Sequence, residues 1–399
     1  MKVLQINSVY AYGSTGRIVR DIHNELKIQG FSGSVIYGRN KIKNNNDENI
    51  YYVNDLFSLT RHLVISRFLD LHGFGSNNST IKIIHLIKNI RPDIIHLHNI
   101  HGYYLNVNIL FKFLEESKIP VIWTLHDCWS YTGHCAYYDF IECSKWKTEC
   151  SNCPLLEQYP KSYKDNTFNN YYEKKNVFTK IQNITLVTPS YWLKNELKSS
   201  YLSRLETVVI PNGIDTNRFT IKNSAFKEKF KDKFIILGVA SVWDKRKGLS
   251  YFVELSNLLN DQELIIIVGK ENHLAKNINN IICIDHTNSI DELVDIYNSA
   301  NVFINPTLED NFPTTNLEAQ SCGIPVITFN TGGSPESINN KTGIICFEKT
   351  ANSLYRAIKK VKETVYKREE IRANILNLFG KEKMYENYLN LYKNRAGKL

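Results

Sequence analysis

The chain is predicted to be α/β, with two domains that are each built on a parallel sheet. Three observations predict this. Short runs rich in Val and Ile alternate with longer amphipathic stretches, the alternation that βαβ units produce. The alternation occurs twice along 399 residues, a length that suits two or three domains. Between the two series stands Val208-Val209-Ile210-Pro211-Asn212-Gly213-Ile214-Asp215, where Pro, Asn and Gly close one strand before a fresh series opens.

The first series predicts strands over 3–6, 34–37, 93–97, 121–125 and 184–188. Its opening strand leads into Tyr12-Gly13-Ser14-Thr15-Gly16-Arg17, a loop ahead of a helix whose Ile18, Ile22 and Leu26 share one face. The second series predicts strands over 234–239, 264–268, 281–284, 301–304 and 326–329. A helix over 249–259 follows the first of these. A shorter helix has Thr315-x-x-Glu318 with capping-box spacing and is stopped by Gly323 and Pro325. The expected domains are 1–214 and 215–380, with the ligand cleft between the halves. Over 381–399, Tyr385, Tyr388, Leu389 and Tyr392 form one helical face that must dock, by expectation on the first domain. Asn44, Asn45 and Asn46 are expected at a loop tip.

Apolar residues make up 43% of the chain, and no run of about eighteen of them exists, so no membrane-spanning helix is expected. Gln5 and Asn7 interrupt the apolar start as a half-buried strand would, which points to a cytoplasmic protein without a leader. The net charge of +9 suits anionic lipid, nucleic acid or a phosphorylated substrate. The aromatic residues form no nucleic-acid motif, so no nucleic-acid partner is expected. Lys161, Lys164, Lys174, Lys175 and Lys180 form either a solvated surface or a peripheral contact with anionic membrane.

Eight cysteines occur in all. In a reducing compartment they are not a disulfide framework. Five of them, Cys128, Cys135, Cys143, Cys150 and Cys153, crowd an insert at about 128–160. Cys150-x-x-Cys153 has the bite of a metal chelate, and Cys135, Cys143, Cys150 and Cys153 together make four candidate ligands for a structural zinc. Their spacing is not that of a standard zinc ribbon, so reduced buried thiols compete with that reading, and a redox role stands behind both.

The stretch Asn305-Pro306-Thr307-Leu308-Glu309-Asp310-Asn311-Phe312-Pro313-Thr314-Thr315-Asn316-Leu317-Glu318 carries the sharpest chemistry. It places Asp310 and Glu318 around a helix N-terminus at the carboxyl end of a strand, where open α/β sheets bind ligands. Amides of Thr315, Asn316 and Leu317 would attract phosphate, and the two carboxylates would accept from sugar hydroxyls. The competing reading is a plain cap and a loop acid. Gly13, Gly16 and Arg17 form a second phosphate-sized loop, although the spacing fits neither dinucleotide nor Walker patterns. Arg246 and Lys247 follow a strand in the second series, suited to neutralising a departing diphosphate or, equally, to a solvated loop. His126 ends the strand over 121–125, and His96, His98 and His101 end another. A neutral imidazole there would meet sugar hydroxyls, and zinc at His96 and His98 is disfavoured for want of a third ligand.

Together these motifs resemble the family-4 retaining glycosyltransferases of the GT-B fold, over nearly the whole chain. The likeness implies two Rossmann-like domains whose parallel sheets face a central cleft. Gly13–Arg17 matches the family's glycine loop, His126 its sugar-contacting histidine, Pro211–Asp215 its hinge, Lys247 its phosphate lysine, and Asp310 with Glu318 its acidic pair. The family pair is Glu-x7-Glu, so Asp310 is a departure, and the adjacent Glu309 competes for the donor-sugar contact. The family arginine five residues before the lysine is Val242 here, a loss that Arg246 would offset. Segments 93–102 and 124–154 look like the branch that builds bacterial exopolysaccharide, colanic acid or O-antigen. The resemblance therefore implies transfer of a sugar, with retention, from a nucleotide-sugar (a UDP-sugar favoured) to a growing lipid-linked oligosaccharide at the cytoplasmic membrane face. The leaving phosphate would deprotonate the acceptor, and no cofactor or divalent metal is required. Competing functions are a non-hydrolysing nucleotide-sugar epimerase, which would turn over without acceptor, and a nonenzymatic sugar-nucleotide sensor or scaffold, which would bind without turnover.

Overall fold

The computed structural model describes residues 1–42, 47–271, 274–276 and 278–397, so the loop tip expected at 44–46 lies outside the described residues. The chain divides into two compact units. One comprises Met1–Ile210 with Tyr385–Leu399, the other Pro211–Met384.

The first unit holds seven parallel strands: β1 (Lys2–Val9), β2 (Ser32–Arg39), β3 (Ile50–Tyr52), β4 (Ile94–Leu97), β5 (Val121–Thr124), β6 (Ile184–Thr188) and β7 (Glu206–Val209). Their order is β3-β2-β1-β4-β5-β6-β7. Ile6 of β1 pairs with Ile36 on one side and Leu97 on the other. All three are fully buried, and a residue of this size contributes about 1.5–3 kcal/mol by leaving water. The order reverses between β1 and β4. Chain connections leave those two strands in opposite directions, which opens a crevice at their carboxyl ends.

The tail helix Lys381–Ala396 spends most of its length on this unit. Tyr388 and Tyr392, four positions apart and so on one face, donate or accept at Thr124 (3.0 Å) and His96 (2.7 Å). Arg395 closes the contact with an ion pair to Glu206.

The second unit holds β8 (Phe234–Val242), β9 (Glu263–Lys270), β10 (Ile281–Ile284), β11 (Val302–Asn305), β12 (Val326–Phe329) and β13 (Gly343–Cys346). All pairs are parallel, in the order β10-β9-β8-β11-β12-β13. Alternation along each strand splits its core in two. Ile236, Ile265, Ile267, Ile304 and Ile327 face Phe252, Leu354 and Ile358. Ile235, Leu237, Ile266, Phe303 and Val326 face Val294, Leu317 and Ile375. Here the order reverses between β8 and β11. The helix expected over 249–259 ends earlier, at Ser256, because Asn257 and the residues after it leave through tight turns. Among the described residues, no helix is long and apolar enough to cross a membrane.

Candidate active site

The loops that leave β8 and β11 meet at the switch point of the second sheet. After β8 the chain turns back at Gly248, whose φ of +79° favours glycine, and a Cβ there would come within 2.2 Å of the Pro306 carbonyl oxygen. That close approach lets the two loops zip together. The Leu308 amide donates to the Arg246 carbonyl (2.7 Å), and the Arg246 guanidinium donates to the Glu309 carbonyl (2.7 Å). Lys247 Nζ donates to Asp310 Oδ2 at 2.6 Å. A third loop, after β12, fixes Asp310 from behind. The Gly333 amide donates to the Asp310 carbonyl (2.9 Å), and Gly332 has no room for a Cβ against that same oxygen.

This framing separates the two neighbouring acids. Glu309 is fully buried, whereas the Asp310 side chain keeps 18% of its surface exposed. Burial works against a charge on Asp310, but the Lys247 and Arg246 cations and the hydrogen bond from Lys247 outweigh it. The carboxyl is held below its usual range.

The helix that follows runs Thr314–Ser321. Its N-cap is Pro313, pre-set at φ −71°, with no side-chain cap. The expected capping box at Thr315 and Glu318 is therefore wrong, since Thr315 already lies inside the first turn. Glu318 instead accepts from the Tyr297 hydroxyl (2.8 Å). One of the three expected phosphate donors is committed elsewhere. The Asn316 amide donates to the Pro313 carbonyl (3.2 Å), and its side chain ties Asn305 to Ser334 and Ser337. Leu317 is core, fully buried against β11 and β12. With no acidic side chain in its first turn, the helix presents its positive end undiminished, and Thr315 stands there half-exposed.

In the first unit, the loop expected at Gly13–Gly16 is the first turn of the helix Gly13–Ile28. Gly16 is buried there, and a Cβ would press on Val9 at 3.1 Å and on the Ala11 amide nitrogen at 3.2 Å. Arg17 is exposed. At the neighbouring strand ends, His126 Nε2 lies 3.1 Å from His98 Nδ1. His98 in turn contacts Gln5, and His96 contacts Thr124 and Tyr392. Desolvation pushes the His126 imidazole down to about 4, so it is neutral at physiological pH. Beside it, His101 bridges Asp127 (2.8 Å) and the Tyr159 hydroxyl (3.1 Å). Asp127 stays ionised although burial opposes it, because His101 faces it. Of these groups, His98, His101, His126, Asp127 and Thr124 line one small concavity.

The cysteine-rich insert departs from expectation at one of its lysines. Lys174, expected on a solvated face, is fully buried. Its ammonium lies 3.5 Å from the Trp129 ring centroid and donates to the carbonyls of Trp129 (2.9 Å) and Thr132 (3.0 Å). Burial brings its pKa down to about 7. Cys135, Cys143, Cys150 and Cys153 do line one concavity, of about 320 Å³, with His134 and Trp146. Among the described residues, however, no three His, Cys, Asp or Glu side chains are disposed to hold a metal ion. Three of the four sulfurs are hydrogen-bonded within the insert. Cys135 and Cys153 hydrogen-bond each other, and Cys150 accepts from the Gly133 amide (3.2 Å). Cys135 belongs to the apolar core, and the other three pack against it. In this arrangement the four thiols are packed as reduced side chains.

Several positions escaped the sequence reading. Tyr297 carried no motif, and the partnership of His101 with Asp127 joins two strand ends that lie far apart in sequence. Thr331-Gly332-Gly333 did carry a signal, as a glycine turn at the same sheet edge as Asp310.

The model for Glycosyltransferase Family 4 matches residues 15–218, more than half of the chain, and that for Glycosyl transferases group 1 matches residues 220–377. This chain belongs to glycosyltransferase family 4. The enzyme is 24% identical to the colanic acid biosynthesis glycosyl transferase WcaC, as that protein of Escherichia coli K12 is named, over 99% of this chain and all of that one. It is 28% identical to an Escherichia coli protein named UDP-Gal:alpha-D-GlcNAc-diphosphoundecaprenol alpha-1,3-galactosyltransferase, over 36% of this chain and 42% of that one. Among solved structures, HepE of Anabaena in complex with UDP and glucose superposes with a TM-score of 0.68 at 12% identity, covering 99% of this glycosyltransferase and all of HepE. That likeness establishes the GT-B fold.

Proposed function

We propose that this glycosyltransferase moves a sugar, with retention of configuration, from a UDP-sugar to a growing lipid-linked surface polysaccharide. One observation carries the reading. Lys247, Arg246 and Asp310 are gathered at the β8/β11 switch point, beside a helix N-terminus left without an acid. A cation pair and a helix dipole suit a departing nucleoside diphosphate, while a carboxylate held ionised suits sugar hydroxyls. Asp310 rather than the buried Glu309 is assigned the donor-sugar contact, because of the two only the Asp310 side chain is partly exposed. Thr315 adds a first-turn amide to the phosphate site, and Glu318, held by Tyr297, takes the ribose diol. The first unit carries its own groups suited to such a ligand: Gly13, Gly16 and Arg17 at a helix start, for phosphate, and neutral His126 at a strand end, for a sugar hydroxyl. The cations supply the positive charge that a divalent metal supplies elsewhere, so turnover should persist in a chelator. The names of the Escherichia coli relatives support a polysaccharide product and a diphosphoundecaprenol-type acceptor.

The test is turnover of UDP- and GDP-sugars with a membrane extract, with the anomeric configuration of the product read by NMR. Transfer from a UDP-sugar that requires acceptor is the expected result. Donor epimerised without acceptor, or bound and never consumed, would overturn the reading.

A further inference from the structure

Between the end of β5 at Thr124 and the helix Thr167–Phe178, the chain makes only single 3₁₀ turns, at Trp129–Tyr131, Asp139–Ile141 and Lys145–Lys147. A connection of that length inside a compact domain is uncommon and needs something to hold it. Cys135, Cys143, Cys150 and Cys153 of this insert line one concavity together with His134.

His134 gives the concavity its chemistry. Its side chain is 1% exposed, and Nδ1 donates to Asp70 Oδ1 at 2.5 Å. The second ring nitrogen, Nε2, is buried and has no hydrogen-bond partner. With the proton held on the Asp70 side, Nε2 is left with a lone pair and nothing to share it with, which is costly inside a protein. A carboxylate on one nitrogen and a bare lone pair on the other is the state in which a metal-ligating histidine is held.

The thiols beside it are braced by backbone donors. The Gly133 amide donates to Cys150 Sγ (3.2 Å), and a Cβ at Gly133 would come within 2.7 Å of the Cys150 Cβ, so glycine is what allows that approach. The Leu155 amide donates to Cys153 Sγ. Between these two cysteines, Lys145 Nζ donates to the carbonyls of Ser151 (2.9 Å) and Asn152 (2.8 Å), which pins the Cys150-x-x-Cys153 turn. N–H donors at sulfur favour a thiolate over a thiol.

We infer that this concavity binds a zinc ion through Cys143, Cys150, Cys153 and His134 Nε2, with Asp70 orienting the imidazole. Three sulfurs and one imidazole are a zinc donor set. Cys135 is left out because it belongs to the apolar core, whereas the other three cysteines pack against that core from its edge. The side chains as packed do not converge on one point. Binding therefore draws the thiols inward and releases their three protons. Four protein ligands leave no open position, so the ion is structural and takes no part in the sugar transfer proposed above. The inference does not depend on that transfer.

The experiment is elemental analysis of the full chain, purified under reducing conditions without chelator, beside a Co²⁺ titration of protein stripped of metal. About one zinc per chain is expected, and cobalt should give thiolate charge-transfer bands with the intense visible bands of a tetrahedral site. His134→Ala should hold the metal roughly tenfold or more less tightly, and Asp70→Asn roughly ten- to a hundredfold less. Cys135→Ala should keep it. Circular dichroism of each variant separates a lost ligand from a lost fold, and the cobalt spectrum of the parent needs no variant. A parent that carries no zinc and gives no cobalt–thiolate bands would overturn the site. Metal kept by His134→Ala but lost from Cys135→Ala would overturn the ligand set in favour of four thiolates.

Discussion

Lys247 Nζ rests 2.6 Å from Asp310 Oδ2 across a separation of 63 positions, so a loop after one strand and a loop after another supply the two charges of one contact. Substituting Lys247 tests both its charge and its hold on the loop. Lys247→Ala should lower kcat by about 10²–10³ with little change in KM, if the ammonium acts chiefly on charge that builds in the transition state. The same substitution removes a cause that, after burial, dominates the carboxyl of Asp310, whose titration should then move upward. Steady-state kinetics and a carboxyl NMR titration report the two effects. Equal, small changes in kcat and KM would reduce Lys247 to a surface cation.

Glu318 gives the complementary case, because its partner is a buried hydroxyl rather than a cation. Tyr297→Phe removes one hydrogen bond to Glu318 and should weaken nucleotide binding by about 1 kcal/mol, several-fold in Kd. Glu318→Ala should weaken it further and leave the Tyr297 hydroxyl unsatisfied. Calorimetry with UDP reads both, and stability measured without ligand separates a lost contact from a damaged fold.

The sheets were legible because β-branched runs bounded by turns mark doubly buried strands, and every predicted strand has its counterpart. The strands that escaped were β3, three residues with two tyrosines, and β13, where Gly343 and Cys346 blur the apolar run. At the candidate site, Arg246, Lys247, Asp310 and Glu318 were legible as positions because charged residues at strand carboxyl ends stand out locally. Their supports were not. Gly332 matters through a backbone oxygen it approaches, and Tyr297 through a hydroxyl aimed at another helix, and neither contact leaves a local pattern. The burial of Lys174 was hidden for the same reason, since its partners are two carbonyls and an indole more than forty positions away.

The histidines of the first unit should make it sensitive to acid. His126 titrates at about 4 because of desolvation, and burial with mutual repulsion holds His96 and His98 well below 6.5. Between pH 6.5 and about 4 the unfolded chain therefore binds more protons than the folded one, so stability falls as pH falls through that window. His96→Gln should cost stability at pH 7, where it disturbs the contacts to Thr124 and Tyr392. It should also make the decline toward pH 5 shallower than in the parent. Unfolding midpoints followed by tryptophan fluorescence across that range supply the comparison, and parallel pH profiles would refute the account.

Lys174 makes a prediction of opposite chemistry in the alkaline range. Its ammonium is charged in the unfolded chain up to about 10.5, whereas burial brings the folded value to about 7. A lysine depressed in this way carries its full desolvation cost below the folded pKa. The cost is relieved as pH rises from about 7 toward 10.5, because there the unfolded state binds the extra proton. Lys174→Met keeps the aliphatic stem against Trp129 but removes the charge and both donors. At pH 7 it leaves the Trp129 and Thr132 carbonyls unsatisfied, which should destabilise the insert by about 1–3 kcal/mol. The stability of the parent relative to Lys174→Met should then grow between pH 7 and 10, a trend that differencing isolates from the tyrosines and thiols common to both proteins. A difference that stays flat over that interval would mean that the ammonium remains charged in the fold, held by the indole face and the two carbonyls strongly enough to offset its burial.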